Sequence, residues 1–404
     1  MISYAQALAL VLAEAEPVVT QNIAPAEALG QVLAQDVSAK RSLPPFDNSA
    51  MDGFALRAAD TRNAPVDLPV SASMAAGDAP LQGALGGVVE IMTGAPVPGW
   101  CDTVVPVENV QVERSPDGAP VRVHFTEAVS KDRHIRRAGE DVQKGQVLLH
   151  AGASVSAQGM AVLTALGLER IKVAARPVIA LIGTGAEVVR DPATALKPGQ
   201  IYDSNTPYLR AALAQAGYEA KVLAGSPDDA EAFLQALKAA GKARIILSTG
   251  AVSMGRRDFV PQALAQIGAR TVFHKCAIRP GKPVLFARLP GGAYFFGLPG
   301  NPVSAAVGLA FFVQPLLERL AGRPAPAPVH RPLKAPFRKK APFTFFAKAK
   351  LEGGQIEILP GQQSFRIAPL LAANGWAVLP AGKAEFAAGD RVGFEPFIPG
   401  SVIQ

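Results

Sequence analysis

Cysteine is nearly absent: Cys101 and Cys276 are the only two in 404 residues. Two cysteines outside any CxxC pair build no disulfide framework, so both are expected as reduced core residues. The five histidines include no HExxH and no pair four residues apart, which leaves no sequence basis for a zinc centre. Charged residues make up only 18% of the chain against 49% apolar, the wrong balance for global disorder. The 38 Gly and 35 Pro lie between apolar stretches and not in periodic tracts, which excludes collagen-like repeats. No uncharged apolar run reaches the roughly 20 residues of a bilayer span; the longest, Val303 to Leu317, is interrupted by Gln314 and Pro315. The apolar stretch at Ala5 to Ala13 has no basic residue before it and Glu14 and Glu16 after it, the wrong polarity for a secretory signal. A cytoplasmic location without a membrane partner is therefore expected.

Positive charge is concentrated. The net charge is +7, and Arg331 to Lys350 alone holds seven basic residues and no acid. Phe337, Phe343, Phe345 and Phe346 are interleaved there, which would suit stacking on single-stranded nucleic acid. They sit among Pro and Ala with no RNP-type pattern, however, so the favoured reading is a solvated face of a small β domain with its Phe rings turned inward, and no nucleic-acid partner.

At about 150 residues per domain, the length implies two to four domains. The clearest boundary is Gly322 to Pro332, where Pro324, Pro326, Pro328 and Pro332 alternate with other residues and would hold an extended connector to a separate C-terminal β domain. Upstream, an apolar strand, a Gly-rich turn and a helix recur. Strands are predicted at Val178 to Ile182, Ala243 to Leu247 and Ala293 to Phe296, with turns Gly183-Thr184-Gly185, Ser248-Thr249-Gly250 and Gly297-Leu298-Pro299-Gly300. Helices are expected to start at Asn205 or Thr206, at Ser226 and at Asn301, and to stop at Gly217, Gly241 and Gly322. Such alternation predicts a doubly wound, mostly parallel sheet whose turns gather at one edge, where ligands bind. The first 177 residues read as a β-rich module flanked by helices, with a capping box at Ser3 and a helix from Ser156 to Leu166 closed by Gly167.

The chemistry is expected at that edge. Gly183 to Gly185 permits close backbone approach to an anion, and Asn301-Pro302 opens a helix whose free N–H groups favour phosphate. Lys275, Arg279 and Lys282, with Pro280-Gly281 between the last two, suit a tetrahedral oxyanion. Glu187, Asp203, Asp228 and Asp258 follow strands or open helices, where carboxylates hold Mg2+ beside phosphates; Asp203 and Asp228 are better explained as helix N-terminal charges. A serine-hydrolase alternative rests on Ala251-Val252-Ser253-Met254-Gly255 followed by Asp258 and His274, but Ala251 stands where the sharp turn normally demands Gly. Leu43 to Leu56 and Arg136 to Asp141 are dense polar stretches that exposed turns alone could explain.

Eight segments occur in one order: LPPFDNSAMDGFAL from Leu43, IMTGAPVP from Ile91, RRAGEDV from Arg136, GTGAEV from Gly183, GQIYDSN from Gly199, STGAVSMG from Ser248, IRPGKP from Ile278 and GLPGNPVSA from Gly297. Together they closely resemble the molybdopterin molybdenumtransferase family, whose animal relatives include the gephyrin C-terminal domain. The resemblance implies a multidomain α/β plus β fold with an elongated discontinuous N-terminal domain (1–42 and 140–176), an inserted β domain (43–139), an α/β domain (177–323) and a C-terminal β domain (324–404). It implies insertion of molybdenum from molybdate into adenylylated molybdopterin, with release of AMP and Mg2+ assisting. It further implies a homodimer whose active site crosses the subunit interface, and possible contact with the molybdopterin adenylyltransferase. By motif position, Asp52, Thr93 and Asp141 would come from one subunit. Glu187, Asp228, Asp258, Lys275, Arg279, Lys282, Pro299 and Pro302 would come from the other, with Gly183, Thr184, Gly185, Ser248, Gly250, Ser253 and Asn301 lining the rim and Glu187 and Asp258 as the Mg2+ ligands. Three departures stand out: Ala186 where Asp is usual, Ala251 where a second Gly is usual, and Arg279 where Lys is common. A non-catalytic molybdopterin-binding scaffold is the alternative they leave.

Overall fold

The computed structural model describes residues 1–223, 229–252, 259–323 and 329–398. The chain opens with the expected capping box: the Ser3 hydroxyl accepts from the Gln6 N–H (3.2 Å) and the Gln6 side-chain oxygen accepts from the Ser3 N–H (3.0 Å). This starts helix α1 (Tyr4–Ala13). Its Ala7 and Val11 are fully buried in the apolar core of the α/β sheet, not against the strands that follow in sequence. Tyr4 meets Phe311, Phe312 and Phe346 edge to face, with centroids 5.1–6.0 Å apart.

After β1 (Thr20–Ile23) the chain enters a six-stranded sheet built from β2 (Gly53–Leu56), β3 (Val66–Met74), β4 (Val88–Ile91), β5 (Thr103–Pro106), β6 (Gln111–Arg114) and β7 (Pro120–Phe125). Its order is β5-β2-β4-β3-β7-β6, with only β3 and β4 parallel. This insertion has two apolar clusters of its own. The chain then returns through α2 (Ala157–Ala165), capped by Ser156, to β8 (Ile171–Ala174), which pairs antiparallel with β1. Leu33, Val37, Val142, Leu163 and Val173 share one cluster, so residues on both sides of the insertion close a single core.

The α/β portion comprises β9 (Ile179–Gly183), α3 (Asn205–Gln215), β10 (Ala220–Val222), α4 (Ala230–Ala239), β11 (Ile245–Thr249), α5 (Val260–Gln266), β12 (Arg270–His274), β13 (Ile278–Arg279), β14 (Leu285–Arg288) and β15 (Tyr294–Leu298). Then α6 (Pro302–Gly308) passes through a π-helical turn (Leu309–Val313) into α7 (Gln314–Leu320). The sheet order is β10-β9-β11-β15-β14-β12, parallel from β10 to β15 and antiparallel beyond. Strands β9, β11 and β15 are buried along their whole length, as strands covered on both faces must be. Each ends one or two residues later than its sequence pattern predicts. Pro302–Leu320 has the length and hydropathy of a membrane span (19 residues, mean hydropathy 1.4), but its most apolar window is 72% buried inside the chain as the core helix of this sheet.

The last portion adds β16 (Val329–Pro332), β17 (Thr344–Glu352), β18 (Gln355–Ile358), β19 (Gly375–Leu379) and β20 (Arg391–Pro396). The sheet order is β13-β17-β19-β20-β16, with β18 on β17. The C-terminal sheet keeps an apolar core of its own, while its edge strand β13 comes from the α/β portion, with Ile278 opposite Thr344 and Arg279 opposite Phe345. One expectation is corrected here: the basic stretch is not wholly solvated, since Lys348 is 0% exposed. The inward Phe residues are as expected, Phe345 in the C-terminal core and Phe346 stacked on Phe311 at 3.9 Å.

Candidate functional site

The turns after β9, β11 and β15 are laced together at the carboxyl edge of the sheet. The Thr184 N–H and hydroxyl both donate to the Thr249 carbonyl (2.9 and 2.8 Å), and the Gly250 N–H donates to the Leu298 carbonyl (2.9 Å). Gly250 has φ +91°, and a Cβ there would lie 2.7 Å from Thr184 Oγ1, so no side chain fits between the turns. Gly250→Ala is expected to destabilise the protein by roughly 2 kcal/mol, read as a lowered denaturant midpoint; an unchanged midpoint would show that the turns are not locked. Ala251, the neighbour standing where Gly is usual, adopts a left-handed backbone at φ +52°, a conformation that costs an L-residue about 1–2 kcal/mol.

Strand register carries Lys275 to the same edge. His274 on β12 lies opposite Leu285, which is opposite Gly297, then Ser248, then Ile182. β12 runs in the same direction as β15, so Lys275 leaves the sheet level with Leu298, Thr249 and Gly183. Lys275 is half-buried with φ +74°, and Arg279 and Lys282 are exposed. Their loop is a tight hairpin, with Lys275 N–H on the Val284 carbonyl (2.9 Å) and Cys276 N–H on the Lys282 carbonyl (3.0 Å). None of the three cations pairs with a carboxylate among the described residues. Lys275 therefore brings a positive charge to the rim, and Arg279 and Lys282 lie on the hairpin that follows it. Glu187 is exposed, its two carboxylate oxygens each 3.0 Å from where a Cβ of Gly185 would be, and it makes no ion pair among the described residues.

A second polar group lies on the inserted sheet. The Thr93 N–H and hydroxyl both donate to Asp52 Oδ1 at 2.7 Å, leaving Oδ2 without a partner among the described residues. These donors hold the exposed Asp52 carboxyl below its ordinary 3.8. Arg136 lies opposite Asn48, and the Asp141 N–H donates to the Leu43 carbonyl (3.1 Å), so Asp52 and the exposed Asp141 stand at opposite ends of one short ribbon. Arg137 is held by Asp47, Asp132 and Glu140, which makes RRAGED a braced turn.

Residues 2–167 match the MoeA N-terminal region (domain I and II), residues 180–319 the probable molybdopterin binding domain, and residues 330–397 the MoeA C-terminal region (domain IV). A molybdopterin molybdenumtransferase of Synechococcus elongatus is 38% identical over 97% of this chain and 98% of its own. That of Haemophilus influenzae is 34% identical over 94% and 95%. The crystal structure of the molybdopterin biosynthesis moea protein from Pyrococcus horikosii superposes with a TM-score of 0.83 at 28% identity, covering 98% of this chain and 99% of that one. The chain belongs to the molybdopterin molybdenumtransferase family.

Within that family fold, several expected contacts take a different form. Asn205 is the first residue of α3 and not its cap; Ser204 holds that position without a side-chain bond, the preceding Asp203 accepts from the Thr206 N–H through Oδ1 at 3.0 Å, and the Asn205 carboxamide donates to the Gly300 carbonyl at 2.7 Å. Asn301 occupies the N-cap of α6 without a side-chain cap bond. Pro302 has no N–H, and the Val303 N–H is taken by the Ser364 carbonyl (3.1 Å), so fewer free donors remain at this helix start than a bare helix offers. Ser248 is fully buried beneath the rim, its hydroxyl unpartnered among the described residues. The Thr184 hydroxyl is committed to Thr249. Pro299 lies in the turn between Leu298 and Gly300. Asp228, Ser253, Asp258 and the Ser226 cap lie outside the described residues; α4 is capped by Asp229. His274 Nε2 is 2.8 Å from the Val252 carbonyl, a backbone contact that does not suit the base of a hydrolase triad. Sequence reasoning missed Arg190, which donates to the Gly183 carbonyl (3.1 Å) and the Leu223 carbonyl (3.0 Å) and so pins the ends of two strands below the rim. Its only signal was its place three residues after Glu187.

Proposed function

We propose that this chain inserts molybdenum from molybdate into adenylylated molybdopterin, releasing AMP, in molybdenum cofactor biosynthesis. The observation that carries this reading is the carboxyl-edge rim, where three Gly-containing turns lie level with Lys275, where Arg279 and Lys282 follow on the adjoining hairpin, and where none of these cations pairs with a carboxylate among the described residues. Such a rim suits a tetrahedral oxyanion beside a pyrophosphate, and the full-length relatives bear the name of that reaction. The cations hold molybdate and the phosphates, while Gly183, Gly185 and Gly250 let backbone come close, and Pro299, Asn301 and Pro302 shape the wall. Most of the rate enhancement then comes from holding reactants and charge in place.

Among the described residues no three His, Cys, Asp or Glu side chains gather into a metal-binding group. A Mg2+ bridged to substrate phosphates needs only one or two protein carboxylates, and the exposed Glu187, which makes no ion pair among the described residues, fits that part; Asp258, the other expected ligand, and Asp228 lie outside the described residues. When bound, Mg2+ would neutralise charge building on the pyrophosphate as it is cleaved.

The inserted sheet shares no apolar cluster with the α/β sheet of its own chain, and Asp52 keeps a carboxylate oxygen without a partner among the described residues. A homodimer in which a second copy brings Asp52, Thr93 and Asp141 over the rim completes the site. The four-part division into 1–42 with 140–176, 43–139, 177–323 and 324–404, a cytoplasmic location and contact with the molybdopterin adenylyltransferase belong to the same reading. Purified protein given adenylylated molybdopterin is expected to release AMP only when molybdate and Mg2+ are present. Tight substrate binding without release would replace this reading with a scaffold.

A further inference from the structure

Lys348 lies on the face of β17 that carries Phe346 toward the α/β core, opposite Trp376 of β19. It is 0% exposed, and a buried ammonium without a carboxylate is costly. Its neighbours explain why it stays. Nζ donates to the carbonyls of Gly361 (2.7 Å), Gln363 (3.2 Å) and Arg366 (3.0 Å), which uses all three protons of an ammonium on one short loop. Gln362 fastens the same loop to the same residue: its side-chain oxygen accepts from the Lys348 N–H (3.0 Å), and its amide donates to the carbonyls of Lys348 (2.9 Å) and Leu359 (2.7 Å). Between these anchors is Ser364, whose carbonyl accepts from the Val303 N–H at the start of α6 (3.1 Å).

We propose that Lys348 is a positioning residue for the anion-binding rim: by gathering three carbonyls of the 361–366 loop it fixes the Ser364 carbonyl on Val303 and so sets the wall beside Asn301 and Pro302. The inference rests on the function proposed above for that rim. An apolar residue of similar length would serve packing in this seam at least as well, so the charge is explained by the loop it organises. Lys348 touches no substrate in this scheme, and its effect passes through the loop to α6.

The test uses the full-length protein with Lys348→Met and, because that variant risks misfolding, the milder Gln362→Ala. Amide hydrogen exchange at Val303 and steady-state kinetics with varied molybdate are measured for each. In every variant that folds, Val303 exchange is expected to rise about tenfold or more, with KM for molybdate up about tenfold and kcat within about threefold of wild type, the size typical for losing an outer support of a bound ion. Lys348→Arg, which keeps a buried cation, is expected to recover part of the protection at Val303. Unchanged Val303 exchange in a folded variant overturns the inference, as does faster exchange with KM unmoved. If the wild-type protein releases no AMP, the proposed function fails, and Val303 exchange together with equilibrium binding of molybdate still decides the role of Lys348.

Discussion

Asp52→Ala should lower molybdate-dependent AMP release by roughly 100- to 1000-fold while leaving the circular dichroism spectrum and the oligomeric state unchanged, the loss expected on the proposed function, which puts this preorganised carboxylate at the reacting centre. The side chain is exposed and buries nothing, so its removal costs the fold little. What is lost is a carboxylate with one oxygen held by two Thr93 donors at 2.7 Å and the other without a partner among the described residues. Thr93→Ala should cost less, about tenfold, because the Thr93 backbone N–H still holds Oδ1. The sign of the pH effect follows from those donors. They lower the Asp52 carboxyl from its ordinary 3.8, so the charged form persists as pH falls and activity that needs it is lost only below that value. Asp52→Ala activity within threefold of wild type would remove Asp52 from the site.

Gly53→Ala should destabilise the inserted sheet by about 3 kcal/mol, at the upper end of overpacking costs. Gly53 is buried at the start of β2, between Pro106 of β5 and Ile91 of β4. A Cβ there would fall 2.9 Å from the Pro106 Cα and closer still to the Val105 carbonyl oxygen. These are backbone atoms in a paired strand, which cannot rotate aside as a side chain can. The strands would have to part, and because Asp52 is the adjacent residue, its carboxylate would move with them. Activity should therefore fall together with the urea midpoint. A normal midpoint in Gly53→Ala would mean that β2 and β5 are looser than their register implies.

Local rules made most of the elements legible. Ser3 with Gln6, Ser156, and the glycines after α3 and α4 mark helix ends through short-range hydrogen bonds and left-handed backbone that the sequence alone encodes. The turns of the rim were legible for the same reason, since each follows a continuous apolar strand. What stayed hidden depends on contacts between distant parts of the chain. Nothing around Ile278 and Arg279 announces that they pair with Thr344 and Phe345, because a two-residue strand has no periodicity to read. Lys348 resembles its basic neighbours in sequence and differs in being fully buried, opposite Trp376 on the next strand. The Thr206 N–H at the start of α3 is served by Asp203 and not by Asn205, whose side chain reaches the Gly300 carbonyl, a contact spanning 95 positions. The Val303 N–H, legible as an anion donor, is taken by a carbonyl some 60 residues downstream.

The strand that carries Arg279 belongs to two bodies at once, lying between two strands of the α/β sheet in sequence and edging the C-terminal sheet in space. That shared strand makes the last two regions poor candidates for transplantation. A chain cut in the Pro-rich connector would strip β17 from β13 and leave Phe311 without Phe346, exposing an aromatic seam and an unpaired strand edge, the features that drive aggregation. Chimaeras exchanging C-terminal regions between relatives should therefore fold only when the 276–282 hairpin travels with the graft, which would carry Arg279 and Lys282 along and link the evolution of the two regions.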